Sequence, residues 1–230
     1  MRTLLVDLDG TLVDPAPGII GACQHALQTL GRSVPHAEDL RWIIGPSLRA
    51  SFRTLIGDGA DVEEGLRLYR EHYAAGGIFD AAVYEGVEQA LGELQDGDTT
   101  LFVCTAKPVV FATRIIAHFG LSGYFASIYG AELDGRFDNK ADLITHMIAI
   151  EGFDPRSTCM VGDRSHDVIA AAAHGIPTLG ALWGYGGREE LVNAGAAAIV
   201  ELPVHLPAAL AQLQAGIPQA HATAAGFHPT

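Results

Sequence analysis

The sequence predicts an α/β fold: a Rossmann-like parallel sheet flanked by helices, with an inserted α-helical subdomain. Three observations predict it. Short apolar runs alternate with helical patterns along most of the chain, as in a parallel sheet with crossover helices. One block, residues 15–79, reads as helical throughout and interrupts that alternation directly after the first run. The apolar runs also end in polar residues, which an open α/β sheet gathers at the carboxyl edge of its strands.

The first strand is read at 3–6. In the helical block that follows, Ile19, Ile20, Cys23, Ala26, Leu27 and Leu30 recur at helical spacing. Leu48, Phe52, Leu55 and Ile56 do the same after Gly45-Pro46, a natural helix start, and Leu66, Tyr69 and Tyr73 continue the pattern. The block leaves near Asp14-Pro15 and rejoins between Asp80 and Tyr84, so it is expected to hang over the strand ends. Further strands are read at 100–104, 127–129, 158–161, 178–182 and 197–200, and helices at 109–118, 140–151, 167–174 and 189–194. The core is therefore expected over 1–14 and 80–215 and the insert over 15–79. A loose tail is expected over 216–230, where Ala, Gly and Pro recur without periodicity.

Composition narrows the function. Of the residues, 49% are apolar and 18% charged, enough apolar content for a substantial core. The formal charge of -13 disfavours nucleic-acid backbones and anionic membranes, which require basic patches. Three widely separated cysteines, Cys23, Cys104 and Cys159, argue against a disulfide framework or structural zinc and fit a reducing compartment. Asp7 and Asp9 interrupt the uncharged run that a secretory leader needs, and no apolar stretch is long enough to span a bilayer. A cytoplasmic protein is the expectation.

The chemistry starts at Asp7 and Asp9, two carboxylates that close the first strand. Residues two apart on a strand point the same way, and like charges on one face repel unless a cation sits near them. Other strand ends supply Thr105 with Ala106 and Lys107, then Asp138-Asn139-Lys140, then Gly162-Asp163 with Asp167. Carboxylates from two strands suit a hard cation such as Mg2+, and a hydroxyl, an ammonium and helix N-termini suit the oxygens of a phosphate. One carboxylate would be free to attack phosphorus and a second to act as general acid and base.

In these residues the chain resembles the haloacid-dehalogenase-like (HAD) hydrolase superfamily along essentially its full length. Asp7-Leu8-Asp9-Gly10-Thr11 is similar to its first motif, Thr105 to the second, Lys140 to the third, and Gly162-Asp163 with Asp167 to the fourth. The resemblance implies a five- or six-stranded core and a helical cap after the first motif. It implies Asp7 as nucleophile, Asp9 as acid and base, Thr105 on the phosphoryl group and Lys140 as the charge partner of Asp7 and the phosphate. Asp7, Asp9 (through its carbonyl) and Asp163 would hold Mg2+, with Asp167 acting through water or behind the direct ligands. Ala106 and Gly162 would offer backbone contacts.

Dehalogenases of the superfamily lack a carboxylate at the position of Asp9, so its presence points to phosphate chemistry. Thr105-Ala106-Lys107-Pro108, Glu132-Leu133-Asp134-Gly135, Val161-Gly162-Asp163-Arg164 and Trp183-Gly184-Tyr185-Gly186 resemble the phosphoglycolate-phosphatase-like group, in its bacterial 5'-nucleotidase-like branch. The expected substrate is a small phosphorylated metabolite, a nucleoside 5'-monophosphate or 2-phosphoglycolate. The alternatives are a phosphomutase of the β-phosphoglucomutase type and a non-catalytic phosphometabolite sensor. Lys107 reaches the phosphate or lies at the rim. Arg49 touches the substrate or is a surface arginine. Trp42, Tyr69 and Tyr73 read as core of the insert, and His166 as a loop histidine. The sequence does not set the oligomeric state.

Overall fold

The computed structural model describes residues 3–216; residues 217–230, most of the expected tail, lie outside the described residues. The chain opens with β1 (Thr3–Val6) and a tight turn into β2 (Val13–Asp14). Helices α1 (Ala16–Thr29), α2 (Leu48–Ile56) and α3 (Ala60–Ala75) follow, and β3 (Ala82–Val83) returns antiparallel to β2. Both ends of the helical block are thus tied by one short ribbon beside β1. The rest alternates: α4 (Val87–Asp96), β4 (Thr100–Pro108), α5 (Val109–His118), β5 (Ser127–Ala131), α6 (Lys140–Glu151), β6 (Thr158–Gly162), α7 (Ser165–Ala172), β7 (Thr178–Ala181), α8 (Arg188–Ala194), β8 (Ala198–Val200) and α9 (Leu206–Gln214).

The main sheet has six parallel strands in the order β5-β4-β1-β6-β7-β8. The chain leaves β1 toward β4 but leaves β6 toward β7. The crevice between β1 and β6 is therefore the point where ligands collect in such sheets. Every residue of β1 is buried, as expected of a strand covered on both faces. Alternation sends Leu4 and Val6 into a core shared with α1, α4 and α5. It sends Leu5 to the opposite face, with Phe102, Leu143, Ile144, Met147 and Met160. Asp7 has the parity of Leu5, so it emerges on the face that α6 covers.

In the helical block, Ile19, Ile20, Cys23, Ala26, Leu27, Phe52, Leu66, Tyr69 and Tyr73 are buried and join the Leu4 core. The Phe52 and Tyr69 rings meet edge to face at 6.2 Å, a favourable quadrupole arrangement. Trp42 corrects the sequence reading: it is 38% exposed, because the 37–43 segment is a 3-10 helix that buries Leu40 and Ile43 instead. The start of α2 also differs, since Ser47 and not Pro46 caps it, its Oγ accepting from Ala50 N. Among the described residues no helix is long and apolar enough to cross a membrane.

Candidate functional site

Asp7 extends the pairing of β1 by one residue, its N–H donating to Val161 O at 2.9 Å. The chain then folds back sharply, with Gly10 N donating to Val13 O (2.8 Å) and Leu12 N to Leu8 O (2.9 Å). Gly10 has φ +82, and a Cβ there would lie 2.2 Å from Asp163 Oδ2. Only glycine allows both the turn and the approach of Asp163. Asp163 follows β6; its Oδ2 accepts from Tyr185 N (2.7 Å) and its Oδ1 from Thr11 Oγ1 (3.4 Å). Asp167 stands in the first turn of α7 and accepts from Arg164 N (3.1 Å), which fixes its carboxylate beside β6.

Lys140 opens α6, which is capped by the Asn139 side chain. Because α6 covers the Asp7 face, the Lys140 ammonium reaches both Asp167 Oδ1 and, at 3.0 Å, Asp7 Oδ1. The contact to Asp7 is an ion pair whose angle leaves Oδ1 without a hydrogen bond, and that oxygen is buried. Thr105 lies on β4, its Oγ1 accepting from Lys107 N (3.2 Å). Ala106 to Pro108 extend β4 beyond the strand read at 100–104, through an irregularity opposite Gly130 and Ala131. That irregularity turns Lys107 inward. It is buried, 2.8 Å from Asp9 Oδ2, and donates to the Tyr73 hydroxyl at 2.8 Å. The other Asp9 oxygen, Oδ1, is buried without a partner.

The electrostatics follow from burial. Loss of water pushes the Asp7 carboxyl above its usual range, with Lys140 opposing and Asp167 adding to the rise. Asp9 is raised by burial against the pull of Lys107. Asp163 is raised well above its usual range by burial, then by the charges of Asp167 and Asp7. Burial disfavours the Lys140 charge, yet Asp167 and Asp7 hold it firmly protonated. Lys107 is likewise pulled down by burial and carried back up by Asp9 and Tyr73.

Asp7, Asp163 and Asp167 each turn one oxygen into a space where those atoms lie within 4.8 Å of one another. Three buried carboxylates, two of them sharing a single lysine and one with an orphaned oxygen, form a donor set that fits a hard divalent cation such as Mg2+. The Asp9 side chain stands outside that trio, held on Lys107.

A cleft beside this cluster is lined by Asp7, Asp9, Thr105, Ala106 and Lys107 from the core and by Ile43, Tyr69, Arg70 and Tyr73 from the insert. Arg49 is not on its wall; its guanidinium is engaged by Glu63 and, at 3.6 Å, by Asp138. The sequence pattern does not single out Arg70, and it gives Tyr69 and Tyr73 a purely packing role although they also wall the cleft. Tyr73 standing one helical turn after Arg70 is the one signal that could have paired them. His166 stands in the first turn of α7, beside a second, more open groove that also reaches Asn139 and Lys140. The loop after β7 closes the site from the other side. Trp183 Nε1 donates to Thr11 O at 2.9 Å, and a Cβ on Gly184 would lie 2.3 Å from Gly10 O.

The sequence profile described as haloacid dehalogenase-like hydrolase matches residues 4–181. The chain is 39% identical to a 5'-nucleotidase of Pseudomonas aeruginosa over 82% of its own length and 86% of that protein. It is 38% identical to tyrosine-protein kinase PtkA of Mycobacterium tuberculosis, over 86% of its own length and 68% of that protein. Among solved structures it resembles a predicted phosphatase from Clostridium acetobutylicum with a TM-score of 0.87 and 34% identity, covering 93% of this chain and 98% of that one. Asp7, Thr105, Lys140 and Asp163 meet at one sheet edge inside the matched span, and the chain belongs to the haloacid dehalogenase-like hydrolase family.

Proposed function

We propose that this enzyme, a phosphoric monoester hydrolase of its family, cleaves a small phosphate monoester with Mg2+ through a covalent phosphoryl group on Asp7. Its substrate is of the nucleoside 5'-monophosphate or 2-phosphoglycolate class. The observation that carries the reading is the division of labour between the two aspartates. Asp7 has a buried oxygen without a hydrogen bond beside Lys140, Asp163 and Asp167. Asp9 is held on a different lysine with its own free oxygen.

Asp7 would attack phosphorus, forming an Asp7–phosphorus bond as the ester P–O bond breaks. The leaving oxygen takes the proton of Asp9, which burial favours in its protonated form. Asp9 then accepts a proton from water as that water attacks phosphorus, releasing inorganic phosphate and free Asp7. Lys140 offsets charge at Asp7, and the Thr105 hydroxyl is placed to donate to a phosphoryl oxygen. Asp7, Asp163 and Asp167 would hold Mg2+, which when bound supplies positive charge to the transferred phosphoryl group. The helical block acts as a cap that walls the leaving-group side and excludes bulk water.

The test is phosphate release from p-nitrophenyl phosphate with and without Mg2+. Release stimulated by Mg2+ and absent in Asp7→Asn supports the reading; turnover that survives Asp7→Asn sinks it. Release without an added sugar acceptor separates hydrolysis from a mutase.

A further inference from the structure

Arg70 lines the cleft beside Asp7, Asp9, Thr105 and Lys107, yet no step above employs it. Its Nη1 donates to the Leu133 carbonyl oxygen at 3.0 Å, which anchors the guanidinium across the insert–core boundary. Its Nε is buried and has no acceptor among the described residues. The other cations around the site are taken. Lys107 is paired with Asp9, Lys140 with Asp7 and Asp167, and Arg49 with Glu63 and Asp138. Asp138 also lies within the field of Arg70, but its ion pair is with Arg49. Burial, and then the neighbouring Arg49 charge, disfavour the charged form of Arg70, a penalty that an anion at this wall would relieve.

A guanidinium anchored at one nitrogen still presents a fork that matches a planar oxyanion. The space that it borders is small, about 50 Å³, and its remaining insert wall is apolar, with Ile19, Ile43 and Leu48. That volume holds a short tail beside a phosphoryl group, not an extended one.

We propose that Arg70 is the subsite for a second anionic group, a carboxylate, on a short-chain phosphate monoester. The proposal rests on the phosphatase reading of Asp7 and extends it to the non-reacting end of the substrate. It favours a phosphorylated hydroxy acid over a nucleotide, whose base carries no anion for this arginine.

The experiment is calorimetric binding, in Mg2+, of phosphonopropionate and of propylphosphonate, which match in length and differ in the carboxylate. The wild-type chain is expected to bind phosphonopropionate at least about tenfold more tightly, the discrimination of a site built to pair a polar group. Arg70→Met should erase most of that preference and Arg70→Lys should keep part of it, with circular dichroism showing that each variant is folded. Equal affinities in the wild type, or a preference that survives Arg70→Met, overturn the proposal. Phosphate release from 2-phosphoglycolate and from ethyl phosphate is measured in parallel. Selective binding without turnover of any ester removes the hydrolase reading and leaves the Arg70 subsite standing. Turnover without carboxylate selectivity does the reverse.

Discussion

Lys107 Nζ donates a 2.8 Å hydrogen bond to the hydroxyl of Tyr73, a residue of the insert, while lying 2.8 Å from Asp9 Oδ2 in the core. The proposed acid and base is therefore held by a lysine that the insert itself positions. Tyr73→Phe keeps the ring and its stack on Tyr69 but deletes the acceptor. We expect kcat to fall by about tenfold on alkyl phosphates, a part of the roughly 100- to 10,000-fold that a general acid contributes because Asp9 itself stays in place, and by less on p-nitrophenyl phosphate, whose leaving group needs little help. An equal loss on both substrates would reduce the bond to a packing role.

Asp7→Asn should lower turnover by about three orders of magnitude or more, since it removes the nucleophile. The fold should persist, because Lys140 keeps Asp167 as partner. Phosphate release and thermal unfolding, measured side by side, check both halves of this expectation.

Lys140→Met leaves Asp7 and Asp167 without their ion-pair partner and facing each other and Asp163. Breaking a buried pair of this kind costs about 3–5 kcal/mol. Urea unfolding in EDTA should show a loss of that order, and Mg2+ should recover more of it than it adds to the wild-type chain. No difference between the two Mg2+ effects would separate Lys140 from the metal cluster.

The pH dependence of stability is set by the buried acids. Asp7, Asp9 and Asp163 all have folded pKa values above the ordinary 3.8, so the native state binds more protons than the unfolded chain. Their contribution is full below 3.8 and is lost as pH rises through the folded values. His166 is held below 6.5 by burial and by Arg164, so its contribution is present above 6.5 and lost as pH falls through its folded value. These three deeply buried acids outweigh one imidazole and the exposed or partly exposed Glu64, Asp154 and Glu190, which their arginine and backbone partners hold below the usual range. In EDTA the urea midpoint should therefore fall between about pH 4 and pH 7, and Mg2+ should raise it more at pH 7 than at pH 5. A midpoint that climbs with pH in EDTA would contradict the burial of these groups.

The sheet was legible because its inner strands are buried on both faces and read as continuous apolar runs. The 109–118 and 140–151 helices stand where their periodicity places them. Strand and helix ends elsewhere moved by a few residues, most at β4, where an irregularity carries the strand on to Pro108. The β2–β3 ribbon was illegible, since two residues a side give no period to detect. Helix α4, with Val87, Ala90, Leu91 and Leu94 buried, was passed over although its pattern is helical. Within the site, Asp7, Asp9, Asp163 and Asp167 are visible as acids at strand ends. The choice of Lys107 to hold Asp9 is not visible, because its other partner, Tyr73, lies 34 residues away on the insert. Arg70 is hidden for the same reason: its anchor, Leu133 O, lies 63 residues away.

Arg164 joins two regions that the strand order keeps apart. One edge of its guanidinium sits on Glu190 Oε1 at 3.0 Å, and Nη1 donates 2.5 Å to the carbonyl of Ile44 in the insert. Its own backbone N–H meanwhile fixes Asp167. Swinging the insert outward must break the tie to Ile44 at a residue whose main chain orients a proposed metal ligand. If the proposed substrate enters by that movement, its admission and the hold on the proposed ion would be coupled through Arg164, and grafting a foreign insert onto this core without an acceptor for Arg164 would change both together.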